Sequence, residues 1–292
     1  MRWQDMRRSQ NVEDHRGSTP ARGGGFGGGM RIGLGGLVIA LIASFLFGVN
    51  PLEILTGAGP EPAPRQTSPG YGPQVQPGTP AVPKQGDTVG AMMQAVLGNT
   101  EDVWLAVFEA QGWGKYPKPN LVLFDGRVAS ACGLASAAVG PFYCPSDRKV
   151  YLDTAFFDQL ARRFGAPGDF AAAYVVAHEI GHHVQNALGI MQKLGPRPDN
   201  ATQVRLELQA DCFAGVWGFY AQKRNLLDPG DLEEGLRAAA AVGDDMIMKR
   251  TQGYVVPDAF THGSAQQRQR WFRQGLATGD PQQCDTFAVN QP

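Results

Sequence analysis

The chain has 292 residues, 43% of them hydrophobic, and a formal net charge of -1. That length can bury a sizeable core, and the balanced charge gives no electrostatic case for nucleic acid, so no nucleic-acid partner is expected. The 38 Gly and 21 Pro crowd into the first third and separate a folded part from N-terminal extras.

Residues 1–31 are polar and carry Arg2, Arg7, Arg8, Arg16, Arg22 and Arg31, and they read as a segment outside the folded domain. Residues 32–52 contain no charge and are long enough for a helix to cross about 30 Å of hydrocarbon. A secretory signal starts with a short basic region, whereas about thirty residues precede this run, and no small-x-small cleavage site follows Phe47. An uncleaved transmembrane helix is therefore expected; a signal-cleaved soluble form would differ only at the N-terminus. Only Arg65 and Lys84 are basic in the stretch that follows, so the positive-inside rule places the N-terminus in the cytoplasm and everything after residue 52 outside. Residues 53–87 are rich in Pro and Gly and read as a disordered tether.

The folded domain is expected over 88–292. Thr88–Gln111 has helical periodicity, with a break at Gly98-Asn99. Leu121 to Phe124 reads as a strand, and Phe142-Tyr143-Cys144 with Lys149 to Leu152 as a hairpin. Such a small sheet can present an edge to an extended peptide or merely cover one side of the core. Helices are then expected from Asp169 to Leu188, from Thr202 to Lys223 and from Asp231 to Lys249, with a last one opening at Thr261-His262-Gly263-Ser264. Asp169 and Asp231 read as their caps. An even count of four cysteines in an oxidising compartment favours the pairs Cys132–Cys144 and Cys212–Cys284; a zinc site built from them lacks C-x-x-C spacing.

The chemistry centres on His178-Glu179-Ile180-Gly181-His182. Residues four apart share a helix face, so both imidazoles can grip one metal ion while Glu179 stays beside it without being a ligand. Two imidazoles, one further protein ligand and a water suit one catalytic Zn2+, and the nearby carboxylate can take the proton of that water. Gly181 costs its helix about 1 kcal/mol relative to Ala, which points to close approach by another helix. That helix carries Glu207 and Asp211, again four apart. Glu207 is assigned as third ligand and Asp211 as acceptor for an imidazole N–H, although spacing alone leaves their roles interchangeable. His262 is the candidate for stabilising the oxyanion of amide hydrolysis, with Arg268 as a weaker one.

The segments CGLASAAVGPFYCPSDRKVYLD, AHEIGHHVQ, ELQADCFAGVW and HGSAQQRQRWFRQG, with the opening MRWQDMRRSQNVEDHRG, resemble the neutral zinc metallopeptidase family of bacterial single-pass membrane proteins. The H-E-x-x-H and later E-x-x-x-D are also similar to the gluzincin peptidases. The predicted hairpin gives a small antiparallel sheet before the H-E-x-x-H helix, and with the resemblance the expected fold is an α+β, zincin-like and mainly helical domain. It implies a peptidase acting on a protein or peptide substrate, anchored in the cytoplasmic membrane with its catalytic domain outside. Metzincin spacing is absent, since Gln185 and Leu188 stand where Gly and His would be. A tethered binding or assembly factor, stabilised by zinc but silent in catalysis, is the alternative, and a fourth protein ligand would favour it.

Overall fold

The computed structural model describes residues 1–17, 86–136, 140–195 and 198–292. The expected span over 32–52 and most of the tether lie outside them. Among the described residues no helix is long and apolar enough to cross a membrane.

The elements in chain order are β1 (Val12–Asp14), α1 (Thr88–Gln111), β2 (Asn120–Phe124), β3 (Arg127–Ser130), β4 (Gly133–Ser136), β5 (Phe142–Cys144) and β6 (Lys149–Asp153). They continue with α2 (Ala155–Arg162), α3 (Asp169–Ala187), α4 (Ile190–Leu194), α5 (Asn200–Lys223), α6 (Asp231–Ala241), α7 (Asp244–Gln252) and α8 (Ala265–Thr278). The protein is mostly helical with a small sheet, as expected. The sheet, however, is mixed and not antiparallel: its order is β1-β2-β6-β5, with β1/β2 and β2/β6 parallel and only β5/β6 antiparallel. The runs Leu121 to Phe124 and Val150 to Leu152 are buried throughout, as strands covered on both faces must be. β3 and β4 form a separate hairpin, whose small residues gave no strand signal.

β1 corrects the expected domain boundary. Its residues Val12, Glu13 and Asp14 pair with Leu121, Val122 and Leu123, and Met1, Met6 and Val12 enter the main core, so the opening residues belong to the folded domain. The aspartates expected as caps serve this segment too. Gly168 and Gly230 take the cap positions, while Asp169 and Asp231 accept from the Met1 ammonium at 2.8 and 3.2 Å. α1 also runs unbroken through Gly98, where the backbone of Arg7 lies so close that a Cβ would sit 2.1 Å from its carbonyl oxygen. Gly98 therefore marks a crossing of chain segments. The expected helix over Asp231–Lys249 divides into α6 and α7 around Val242-Gly243, because Gly243 abuts the backbone of Ala265.

α3 is buried on nearly all sides. It crosses α5 where Gly181 meets Ala210, a Cβ on the glycine falling 2.8 Å from the Ala210 oxygen. α5 meets α8 just as closely at Gly215 and Gly275, whose absent side chains would strike Phe272 and Cys212 backbone oxygens. The three-helix stack thus has a glycine at each crossing, and Phe170 stacked on Trp217 at 5.6 Å fills the space beside it. Both expected disulfides are formed, Cys132–Cys144 and Cys212–Cys284, and the second holds the C-terminal segment against α5.

Candidate metal centre

The Gly181–Ala210 crossing lets α3 and α5 approach until one donor atom from each of His178, His182 and Glu207 lies within 4.8 Å of the others. Nε2 of His178 and Nε2 of His182 stand 3.2 and 3.5 Å from Glu207 Oε2. The other ring nitrogens have their own partners: His178 Nδ1 meets Asp211 Oδ1 at 2.8 Å and His182 Nδ1 meets Gln185 Oε1 at 2.9 Å. Each imidazole therefore donates outward through Nδ1 and turns the lone pair of Nε2 toward one point, the tautomer a metal ligand requires. Glu207 is the carboxylate that joins the two Nε2 atoms, and Asp211 faces His178 Nδ1.

Asp211 is wholly buried and needs more than His178 to hold its charge. Arg268 reaches it from α8 with Nε at 2.8 Å from Oδ2 and a terminal nitrogen at 2.9 Å from Oδ1, and the Tyr174 hydroxyl donates to Oδ1 as well. Burial pushes the Asp211 carboxyl up, but Arg268 and His178 outweigh it and hold it at about 2. Burial also disfavours charge on His178, yet Asp211 prevails and raises the imidazole to about 9, a basicity that equally favours coordination of a cation. Glu207 is pushed up by burial and drawn well below the usual range by His182 and His262, so it stands ionised. Gln203 donates to its second oxygen at 3.2 Å. Two imidazoles and one carboxylate fit a zinc ion, and among the described residues no cysteine is free to join them.

Glu179 follows His178 directly and is 8% exposed; among the described residues no hydrogen bond engages its carboxylate. His262 is bonded through Nδ1 to Asp244 Oδ1 at 3.2 Å, while Asp244 Oδ2 accepts the backbone N–H groups of Thr261, His262 and Gly263 at 2.7, 2.7 and 3.0 Å. Its ring is one third exposed and feels the charge of Glu207. Arg268 is excluded as an oxyanion donor: its guanidinium is spent on Asp211, the Tyr174 hydroxyl and the Val242 carbonyl, on the Nδ1 side of His178. His183 is no ligand either. It bonds to the Tyr143 hydroxyl and the Pro117 carbonyl, and burial lowers it to about 4.

Sequence reasoning missed Tyr174, Gln185, Gln203 and Asp244. Gln185 and Gln203 stand three and four residues from His182 and Glu207, a helical signal that was available; Asp244 is placed by the loop before α8 and had none.

Residues 1–287 match the sequence profile of the family described as "Putative neutral zinc metallopeptidase". The chain belongs to this family. Its relatives include the uncharacterized protein YpfJ of Escherichia coli, 44% identical over 98% of this chain and 99% of the relative. The uncharacterized protein Rv2575 of Mycobacterium tuberculosis is 49% identical over 60% of this chain and 64% of its own length. No solved structure matches the chain.

Proposed function

We propose that this family member is a zinc-dependent peptidase that hydrolyses peptide bonds within protein or peptide substrates. The observation that carries this reading is the convergence of His178 Nε2, His182 Nε2 and Glu207 Oε2 on one point beside a carboxylate, that of Glu179, with no competing partner. His178, His182 and Glu207 would hold the metal, and Asp211 and Gln185 fix the two rings. When bound, zinc supplies Lewis acidity that makes a water acidic and polarises a carbonyl. Glu179 takes the proton of the attacking water and delivers it to the departing amine. His262, aligned by Asp244, donates to the oxygen of the tetrahedral intermediate. Among the described residues the group has three protein donors rather than four, which supports this reading over a zinc-stabilised binding factor.

The test is digestion of a peptide library by the wild-type chain and by Glu179→Gln. Cleavage should fall by orders of magnitude in the variant while zinc content is unchanged; equal cleavage by both removes Glu179 from the mechanism.

A further inference from the structure

We infer that the first seventeen residues are a fixed strap of the peptidase domain, so that the N-terminus and the catalytic site share one side of any membrane the chain touches. This opposes the split arrangement that the positive-inside rule suggests, and it stands independently of the catalytic reading.

The strap is bound along its whole length. Arg2 donates from its backbone to Leu226 at 2.8 Å, Ser9 to Gln94 at 2.9 Å, and His15 to Leu123 at 2.8 Å, while Asn11 accepts from Leu121 at 2.9 Å. These are main-chain bonds to α1, to the central strand β2 and to the segment that follows α5, and they do not depend on side-chain identity. α1 is shaped for the strap at Gly98, where any side chain would strike the Arg7 carbonyl. That explains a glycine in the middle of a buried helix, where it is otherwise unfavourable.

Charge gives a second argument. Glu101 is 1% exposed, and such a carboxylate is tolerated only when it is paired and hydrogen-bonded. Its near partners come from the strap: Ser9 Oγ at 2.7 Å, Asn11 Nδ2 at 2.6 Å and an Arg7 terminal nitrogen at 2.8 Å. Lys118, at 3.6 Å, is the more distant remainder. Without the strap, α1 would carry an almost unpartnered buried anion.

Chain topology points the same way. Arg16 binds both Asp14 and Asp87, so positions 16 and 87 are held at nearly the same place. One crossing by 32–52 would set those ends on opposite faces of about 30 Å of hydrocarbon. Between 53 and 86 there is no second apolar run of spanning length to bring the chain back.

The experiment uses the full chain in cells. Arg8→Cys on the strap and Glu109→Cys on α1 are exposed positions, and each variant is treated with a membrane-impermeant maleimide before and after permeabilisation. Both should label alike in intact cells, and both should label once the membrane is opened. In parallel, an Arg7→Cys/Asp102→Cys chain treated with a short bismaleimide should acquire an internal crosslink, which Gly98→Val should abolish. Labelling of one position with protection of the other in intact cells would overturn the proposal, as would a crosslink that fails to form or that survives Gly98→Val.

Discussion

Asp211 and Glu101 are both buried carboxylates, 0% and 1% exposed, and each is neutralised by side chains distant in sequence. Asp211 is met by Arg268 from the last helix and in turn holds His178, an imidazole of the candidate metal centre; Glu101 is met by the strap and holds no such group. The first is a support for chemistry and the second a lock on chain topology. A buried charge by itself says only that partners must be brought together, and the identity of those partners says for what purpose.

The contrast breaks most severely at Asp211. Asp211→Ala strands the Arg268 guanidinium in the core and should lower stability by about 3–5 kcal/mol, read as a fall in the urea midpoint, together with weaker zinc binding. A loss of zinc affinity at unchanged midpoint would mean that the pair is not the structural support described. Ser9→Ala removes one donor from Glu101 and should cost about 1.5–3 kcal/mol, the range for hydrogen bonds to charged groups; zinc affinity per folded molecule should not move. If it does, strap and metal centre are coupled.

How far these two regions were legible in the sequence differs for the same reason. The metal centre was readable because His178, His182, Glu207 and Asp211 are arranged at helical spacing within two helices, so local geometry sets most of the site. Even the Arg268 partnership is invisible at that level, since the residue reaches Asp211 through a helix crossing set by Gly215 and Gly275. The strap was missed because its evidence is entirely non-local. Val12 to Asp14 is too short to show alternation, and pairing with β2 spans more than a hundred residues; six arginines ahead of an apolar run then suggested a tail on the far side of a membrane. The sequence predicts an antiparallel sheet because the only pair within that sheet close in sequence, β5 with β6, is antiparallel.

A smaller effect separates the regions by acid. Burial raises the Asp14 carboxyl, but hydrogen bonds and charge from Arg16 outweigh it, and the group lies below its usual 3.8. A carboxylate with a depressed folded value contributes stability above its unfolded value and loses it as the pH falls through the folded one. The stability this pair contributes should therefore be lost as the pH drops below about 4, read as a falling urea midpoint that falls less in Asp14→Asn, while Asp211, held at about 2, is still ionised. A urea midpoint that rises as the pH falls through this range would contradict the sign.

The central claim is most directly tested by zinc-edge X-ray absorption on the purified full chain, with Glu207→Ala beside it. The account predicts one zinc per chain in a shell of two imidazoles and oxygen donors, without sulfur, and loss of tight binding in the variant. A sulfur contribution, a third imidazole, or a metal shell untouched by Glu207→Ala would contradict it.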